Sequence, residues 1–173
     1  MIESFDVTVR DGRAVHIRAI RLEDEAELLQ AFERLSAEAR YLRFMRVVRE
    51  PNMERLRALL ASFPKDGIGL VATAPATDGI DIVGSAIAVF SADRASCEFA
   101  TTVAAAFGGV GLATALMTAL IDEARRRGLK TMEGFVLAEN QPMLRLARRL
   151  GFSVAPELGD ATVRVCRLRL DNP

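Results

Sequence analysis

The sequence predicts an α/β fold with a mixed sheet, on three observations. Residues 5–20 alternate apolar and polar around Asp11-Gly12, a hairpin signal that joins the first two strands antiparallel. The middle of the chain carries three strand-like runs in succession, separated by turn-forming residues. The second half alternates helix and strand patterns, beginning at the glycine-rich turn Gly108-Gly109-Val110-Gly111. The resulting order is β-β-α-α-β-β-β-α-β-α-β-β. It excludes an all-parallel sheet, because hairpin connections reverse the chain.

Taken in order, the first strand covers about Phe5–Val9 and the second about Val15–Ile20. A helix follows, with Leu28, Ala31, Phe32 and Leu35 spaced for one buried face. Residues 36–50 hold Tyr41, Phe44 and several arginines and glutamates, and read as a mixed loop and short helix. Pro51 and Asn52 start another helix, with Met53, Leu56, Leu59 and Leu60 on one side, and Phe63-Pro-Lys-Asp-Gly67 ends it. Strands Ile68–Thr73 and Ile80–Ser91 flank a turn rich in Pro, Thr, Asp and Gly. After a second turn at Ser91-Ala-Asp-Arg94, the strand Glu98–Val103 leads into the glycine loop. From Leu112 the apolar positions 112, 115, 116, 119 and 120 form a helical stripe, closed by Arg125–Arg127 and a C′ glycine at 128. Thr131–Leu137 is a strand, and Met143, Leu146, Ala147 and Leu150 mark a short helix stopped by Gly151-Phe152. The last strands cover roughly Ser153–Ala155 and Thr162–Leu170.

With 173 residues the chain has the size of one domain, and it shows no internal repeat or linker. Its 23 basic and 23 acidic residues cancel, so a broad electrostatic affinity for nucleic acid or anionic membrane is not expected. Cys97 and Cys166 lie far apart in apolar, strand-like runs, and His16 is the only histidine. No metal-ligand spacing results, so no metal is expected, and His16 reads as structural. There is no secretory N-terminus and no apolar run long enough to span a bilayer, which suggests a cytoplasmic protein with reduced thiols.

The glycine loop carries the functional signal. Gly108, Gly109 and Gly111 leave the backbone bare between a strand and a helix, so N–H groups can converge there. The helix N-terminus adds unsatisfied donors and the positive end of its dipole, which together suit a phosphate or pyrophosphate. A Walker A loop is excluded, since no Gly-Lys-Ser/Thr occurs. A dinucleotide fingerprint would need G-x-G-x-x-G at the start of a βαβ unit, whereas G-G-x-G-x-A stands late in this chain, after antiparallel strands. The remaining alternative is a glycine-rich helix start with no ligand.

The strand bearing Glu98, the turn Gly108-Gly-Val-Gly-Leu-Ala-Thr114 and the helix after it resemble the acetyl-CoA site of the GNAT N-acetyltransferase superfamily. That family's Gln/Arg-x-x-Gly-x-Gly/Ala pattern falls on Gly108, Gly111 and Ala113. Asn140-Gln-Pro-Met-Leu-Arg-Leu-Ala-Arg-Arg-Leu-Gly-Phe152 is similar to the second signature, an Asn followed by a short helix closing in Leu-Gly-Phe. Val15–Asp24 resembles the family's first strand and helix entry, and Leu35–Phe44 is similar to GNAT domains of bacterial protein-lysine acetyltransferases. The resemblance implies that residues 1–173 form one N-acetyltransferase domain. Its sheet would be mostly antiparallel, of about seven strands flanked by about four helices, splayed between the two central strands.

The resemblance also implies a site. Backbone near Ala100, Thr101, Thr102 and Val103 would bind the pantetheine arm of acetyl-CoA and polarise the thioester carbonyl. Gly108, Gly109, Val110, Gly111, Leu112, Ala113 and Thr114 would hold the pyrophosphate, with Asn140 and Met143 completing the cofactor site. Glu98 is the candidate general base, since a protonated amine cannot attack, and burial on its strand would raise its pKa toward the useful range. A glutamate facing solvent or paired with an arginine is the alternative. Asn140 also suits a helix N-cap. Gly108 and Val110 stand where relatives carry polar side chains, so phosphate anchoring falls to backbone N–H groups, and Ala147 stands where many relatives place an acid tyrosine. Arg125–Arg127 read as a solvated helix end, and Arg145, Arg148 and Arg149 either meet the adenosine 3′-phosphate or are solvated. Tyr41 and Arg43 are candidates for the acceptor site, while Phe44 reads as core. The expected partner is an amine acceptor, a small molecule or a protein lysine, and the last strands could pair two copies as a homodimer. A non-catalytic acyl-CoA-binding module is the rival reading.

Overall fold

The computed structural model describes residues 2–45 and 50–171. Eight strands form one sheet in the order β1-β2-β3-β4-β5-β6-β8-β7. They are β1 (Phe5–Thr8), β2 (Ala14–Ala19), β3 (Gly67–Thr73), β4 (Ile82–Phe90), β5 (Ser96–Val103), β6 (Thr131–Leu137), β7 (Ser153–Glu157) and β8 (Asp160–Arg169). Every neighbouring pair is antiparallel except β5 with β6. Five helices accompany them: α1 (Glu25–Arg34), α2 (Ala37–Phe44), α3 (Met53–Ser62), α4 (Leu112–Arg126) and α5 (Gln141–Arg149). The expected mixed, mostly antiparallel sheet is therefore present, with the eight strands of the predicted order, one more than the resemblance implies, and with one helix more. The added helix is α2, within the stretch expected to be partly loop. Ser36 caps it by accepting from the Ala39 N–H at 3.0 Å. Residues 46–49 of that stretch lie outside the described ones.

The central strands are covered on both faces, which is why β3 reads as a continuous apolar run. Residues opposite each other in an antiparallel pair share a face. Gly84 faces Leu112 and Leu116, so its register mates place Ile68, Leu70 and Ala72 of β3 against α4. These residues join Leu112, Leu116 and Leu120 in the main core. The opposite face carries Gly67 and Gly69, whose missing side chains make room for the Phe63 ring just after α3. A bidentate pair between the Arg18 guanidinium and the Asp24 carboxylate, at 2.8 Å in both arms, anchors the entry to α1. Burial works against the Asp24 charge, but the Arg18 hydrogen bonds and the Arg21 N–H bring its carboxyl below the ordinary value.

Two features of this architecture position a site. The first is a splay. β5 and β6 pair only at Ser96↔Thr131, Cys97↔Met132 and Glu98↔Glu133, and then diverge. β6 stays paired with β8 along its whole length. The Phe99 ring occupies the face that Gly134 leaves bare, where a Cβ would overlap it, and packs edge-on against Phe152 at 5.1 Å. The second feature is the docking of the β1–β2 hairpin tip on the loop before α4. The Arg10 N–H donates to the Val110 carbonyl at 3.0 Å, and the Arg13 guanidinium donates to the Ala106 carbonyl at 2.6 Å.

Candidate active site

β5 separates two clefts. The register places Phe99, Thr101 and Val103 on the α4 face, opposite Ala88, Ala86 and Gly84. Glu98, Ala100 and Thr102 lie on the other face, opposite Val89, Ile87 and Ser85. Beyond Glu98 the backbone groups of β5 that point away from β4 have no strand partner, so they are free to hydrogen-bond an extended ligand in the splay.

The cleft of about 420 Å³ runs from the splay to the glycine loop and along α5. Thr101, Thr102, Val103, Gly108, Gly109, Gly111, Leu112, Ala113, Thr114, Asn140 and Met143 all line it. Val110 does not. Its side chain packs against the core while its carbonyl receives the Arg10 N–H, so any role at a ligand would be through its backbone. Gly109 and Gly111 have φ of 72° and 92°, a conformation that favours glycine, and Gly111 is the residue from which α4 starts. The loop thus turns sharply, and Leu112, Ala113 and Thr114 of the first turn of α4, where a helix leaves its N–H groups without intrahelical partners, line the cleft. Asn140 caps α5, accepting from the Met143 N–H at 3.4 Å, with Pro142 in the first turn. The N-cap reading and the cleft-lining reading of Asn140 hold together.

The second cleft, of about 570 Å³, lies between β4–β5 and helices α1, α2 and α3. Its walls are mainly apolar, with Leu28, Phe32, Leu35, Phe44, Leu56 and Leu59 prominent. The two clefts meet along Glu98, Phe99, Ala100 and Thr102 of β5 and at Arg43 and Met45, all of which line both. Arg43 stacks on the Phe44 ring at 4.7 Å, and no hydrogen bond or ion pair of its guanidinium occurs among the described residues. Burial pushes its pKa down to about 10, opposed by the nearby Glu98 carboxylate. Tyr41 lines neither cleft, whereas Phe44 both lines one and packs edge-on against Phe32 at 5.7 Å.

Two expectations are corrected here, the burial of Glu98 and the solvation of Arg126 and Arg127. Glu98 is exposed, not buried. Alternation gives the core to Cys97 and Phe99, and Glu98 faces out beside Val89, which is 41% exposed. Arg126 and Arg127 are not merely solvated, since both pair with the buried Glu123 carboxylate at 2.7 and 3.0 Å. Ala147 is fully buried in the core, so α5 offers no acid at that position. The edge strand β7 reaches Glu157, with a bulge after Pro156.

His16 Nδ1 lies 2.7 Å from Asp6 Oδ1 on the exposed hairpin. Cys97 is buried, and that burial pushes its thiol up to about 12. No metal-binding group of three or more His, Cys, Asp or Glu occurs among the described residues, and none of their helices is long and apolar enough to cross a membrane. Arg149 joins the wall of the smaller cleft at its α5 end. Arg10, also on that wall, was not signalled by the sequence. It lies in a hairpin about a hundred residues before the loop it meets, and no local pattern reports such docking.

The family model described as Acetyltransferase (GNAT) domain matches residues 15–153. An acetyltransferase of Pseudomonas aeruginosa is 33% identical over 169 residues, covering 98% of this chain and 89% of that protein. The GNAT domain of S. lividans PAT superposes with a TM-score of 0.85 at 24% identity, covering 96% of each chain. The Salmonella typhimurium protein solved with its cofactor acetyl-CoA superposes with a TM-score of 0.68 at 26% identity, covering 92% of this chain and 95% of that one.

Proposed function

This chain belongs to the acetyltransferase (GNAT) domain family, an acyltransferase family, and from that premise we propose that it carries the acetyl group of acetyl-CoA to a primary amine by direct attack in a ternary complex. The observation that carries the reading is the meeting of two clefts at Glu98: a splayed strand edge and bare glycine loop on one side, an apolar cavity on the other. The acyl donor lies along β5, with its pyrophosphate over Gly108, Gly109 and Gly111. The thioester carbonyl oxygen accepts from the free backbone N–H groups of β5, which stabilise the charge that develops there. Asn140 and Met143 bound the arm on the α5 side.

An amine of lysine type is protonated at neutral pH, with a pKa of about 10, and must lose a proton before it can attack. Glu98 accepts that proton, directly or through one water. The C–N bond forms, the C–S bond breaks, and CoA leaves as a thiolate that takes its proton from solvent, because Ala147 supplies no acid. The Arg43 guanidinium, close to Glu98 and without an ion-pair partner among the described residues, places an uncompensated positive charge at the junction of the two clefts.

A protein lysine is the acceptor that the open position of Glu98 favours, since a side chain presented from a partner surface can reach it. The likeness of Leu35–Phe44 to protein-lysine acetyltransferases points the same way. A small apolar amine is the second reading, because a cleft of about 570 Å³ would enclose one.

The test is calorimetric titration with acetyl-CoA, followed by thiol release on a panel of lysine peptides and small amines. Glu98→Gln is expected to bind acetyl-CoA as tightly as the wild type while its transfer rate falls about a hundredfold or more. Full activity in that variant across neutral to alkaline pH would remove Glu98 as the base. Failure of the wild type to bind acetyl-CoA at millimolar concentration would overturn the whole reading.

A further inference from the structure

The glycine loop has no charged side chain of its own: residues 105–114 read Ala-Ala-Phe-Gly-Gly-Val-Gly-Leu-Ala-Thr. Charge reaches it from a distant part of the chain, the tip of the β1–β2 hairpin. The tip is clamped at both ends of the loop. The Arg10 N–H holds the Val110 carbonyl at 3.0 Å. The Arg13 guanidinium holds the Ala106 carbonyl at 2.6 Å and lies over the Phe107 ring at 3.7 Å. Arg13 is further neutralised by Asp11 at 2.6 Å, so its charge is already satisfied. Arg10 differs. Its side chain lies across the bare face of Gly111, with Nε 3.5 Å and one terminal nitrogen 3.8 Å from where a Cβ on that residue would stand. It is exposed, lines the smaller cleft, and forms no ion pair among the described residues.

We propose that Arg10 is the side-chain anchor for the pyrophosphate of the acyl donor, supplied to the loop by the β1–β2 hairpin; this rests on the acetyl-CoA reading above. A guanidinium offers several donors in a fixed fork, which matches phosphate oxygens and complements the convergent N–H groups of the loop and α4. Its backbone is already pinned to Val110, so little main-chain freedom is lost when the ligand arrives. The hairpin thereby supplies the charge that Gly108 and Val110 lack. Arg149, on α5 at another part of the cleft wall, is the other arginine lining that cleft besides Arg43 at the junction.

The experiment compares the full-length wild type with Arg10→Ala and Arg10→Lys on three donors. Acetyl-CoA carries the pyrophosphate and the 3′-phosphate, acetyl-dephospho-CoA carries the pyrophosphate alone, and S-acetylpantetheine carries neither. Arg10→Ala is expected to raise KM about tenfold or more for the first two and to leave S-acetylpantetheine unchanged, with Arg10→Lys intermediate. An unchanged KM for acetyl-CoA in Arg10→Ala overturns the assignment. So does an equal loss with S-acetylpantetheine, which would mean that the substitution disturbs the loop itself. A loss confined to acetyl-CoA overturns the pyrophosphate assignment by moving Arg10 to the 3′-phosphate. A wild type that binds no acetyl-CoA by calorimetry instead removes the acetyl-CoA reading on which the proposal rests.

Discussion

The two clefts on either side of β5 are built from different materials. The smaller offers backbone to a ligand: an unpaired strand edge beyond Glu98, glycines in left-handed turns, and the first turns of α4 and α5, with side chains of α2 and α5 completing its wall. The larger is made of side chains on α1, α2 and α3, packed over β4 and β5. Backbone is common to every sequence, so a backbone-built cleft is disturbed by adding atoms. A side-chain-built cleft is disturbed by removing them. The difference fits the division of labour proposed here, with an invariant donor on one side and an acceptor, which can vary, on the other.

Three substitutions would break or sharpen this contrast. The largest effect is expected from Asp24→Asn, at the entry to α1 on the side-chain-built face. Breaking the buried pair with Arg18 should cost about 3 kcal/mol, read as a lower denaturation midpoint in urea. The pH dependence has a defined sign. The folded-state pKa of Asp24 is depressed, so its contribution is complete above the unfolded value of about 4 and is lost as pH falls through the folded value. The variant should therefore lose that part of the wild type's acid sensitivity. A loss under 0.5 kcal/mol, roughly the level of an exposed pair, would show that the helical wall does not depend on this contact.

Gly134→Ala comes next, as an addition of atoms on the backbone-built side. Its methyl group would meet the Phe99 ring, and overpacking of this kind costs about 1–3 kcal/mol. Because that ring sits where β5 and β6 part, affinity for acetyl-CoA should fall along with stability. Lower stability with unchanged affinity would separate the splay from the donor site. The smallest effect is expected from Arg43→Met, which keeps apolar volume at the junction of the clefts but removes the charge. The acceptor's KM should change by about threefold to tenfold, as expected for one charged contact, while the denaturation midpoint moves little. An acceptor KM identical to that of the wild type would exclude Arg43 from the acceptor site.

The same contrast explains what the sequence disclosed. The backbone-built side was largely legible. Leu112–Arg126 repeats its apolar residues at helical spacing, and glycines announce their own conformational need. Eleven of the twelve expected cofactor residues line one cleft on that account, Val110 being turned to the core. The side-chain-built side was less legible. α2 is only eight residues long and rich in charge, so its periodicity is weak, and it depends on the Ser36 cap and on packing over β5 and β6. Glu98 is exposed where the sequence predicts burial, because an apolar run does not reveal which face of a strand is open. Arg10 was invisible, because its meaning comes from docking between distant segments.

That docking ties residues 93 positions apart, Arg13 to Ala106. Closing a loop of that length carries an entropic cost that the docking contacts must offset. The glycine loop therefore owes its shape to the hairpin folded against it as well as to its own residues. Alterations at the amino terminus, such as a fused tag that crowds the hairpin or a deletion that shortens it, would register as changes in donor affinity although no residue of the loop had been touched.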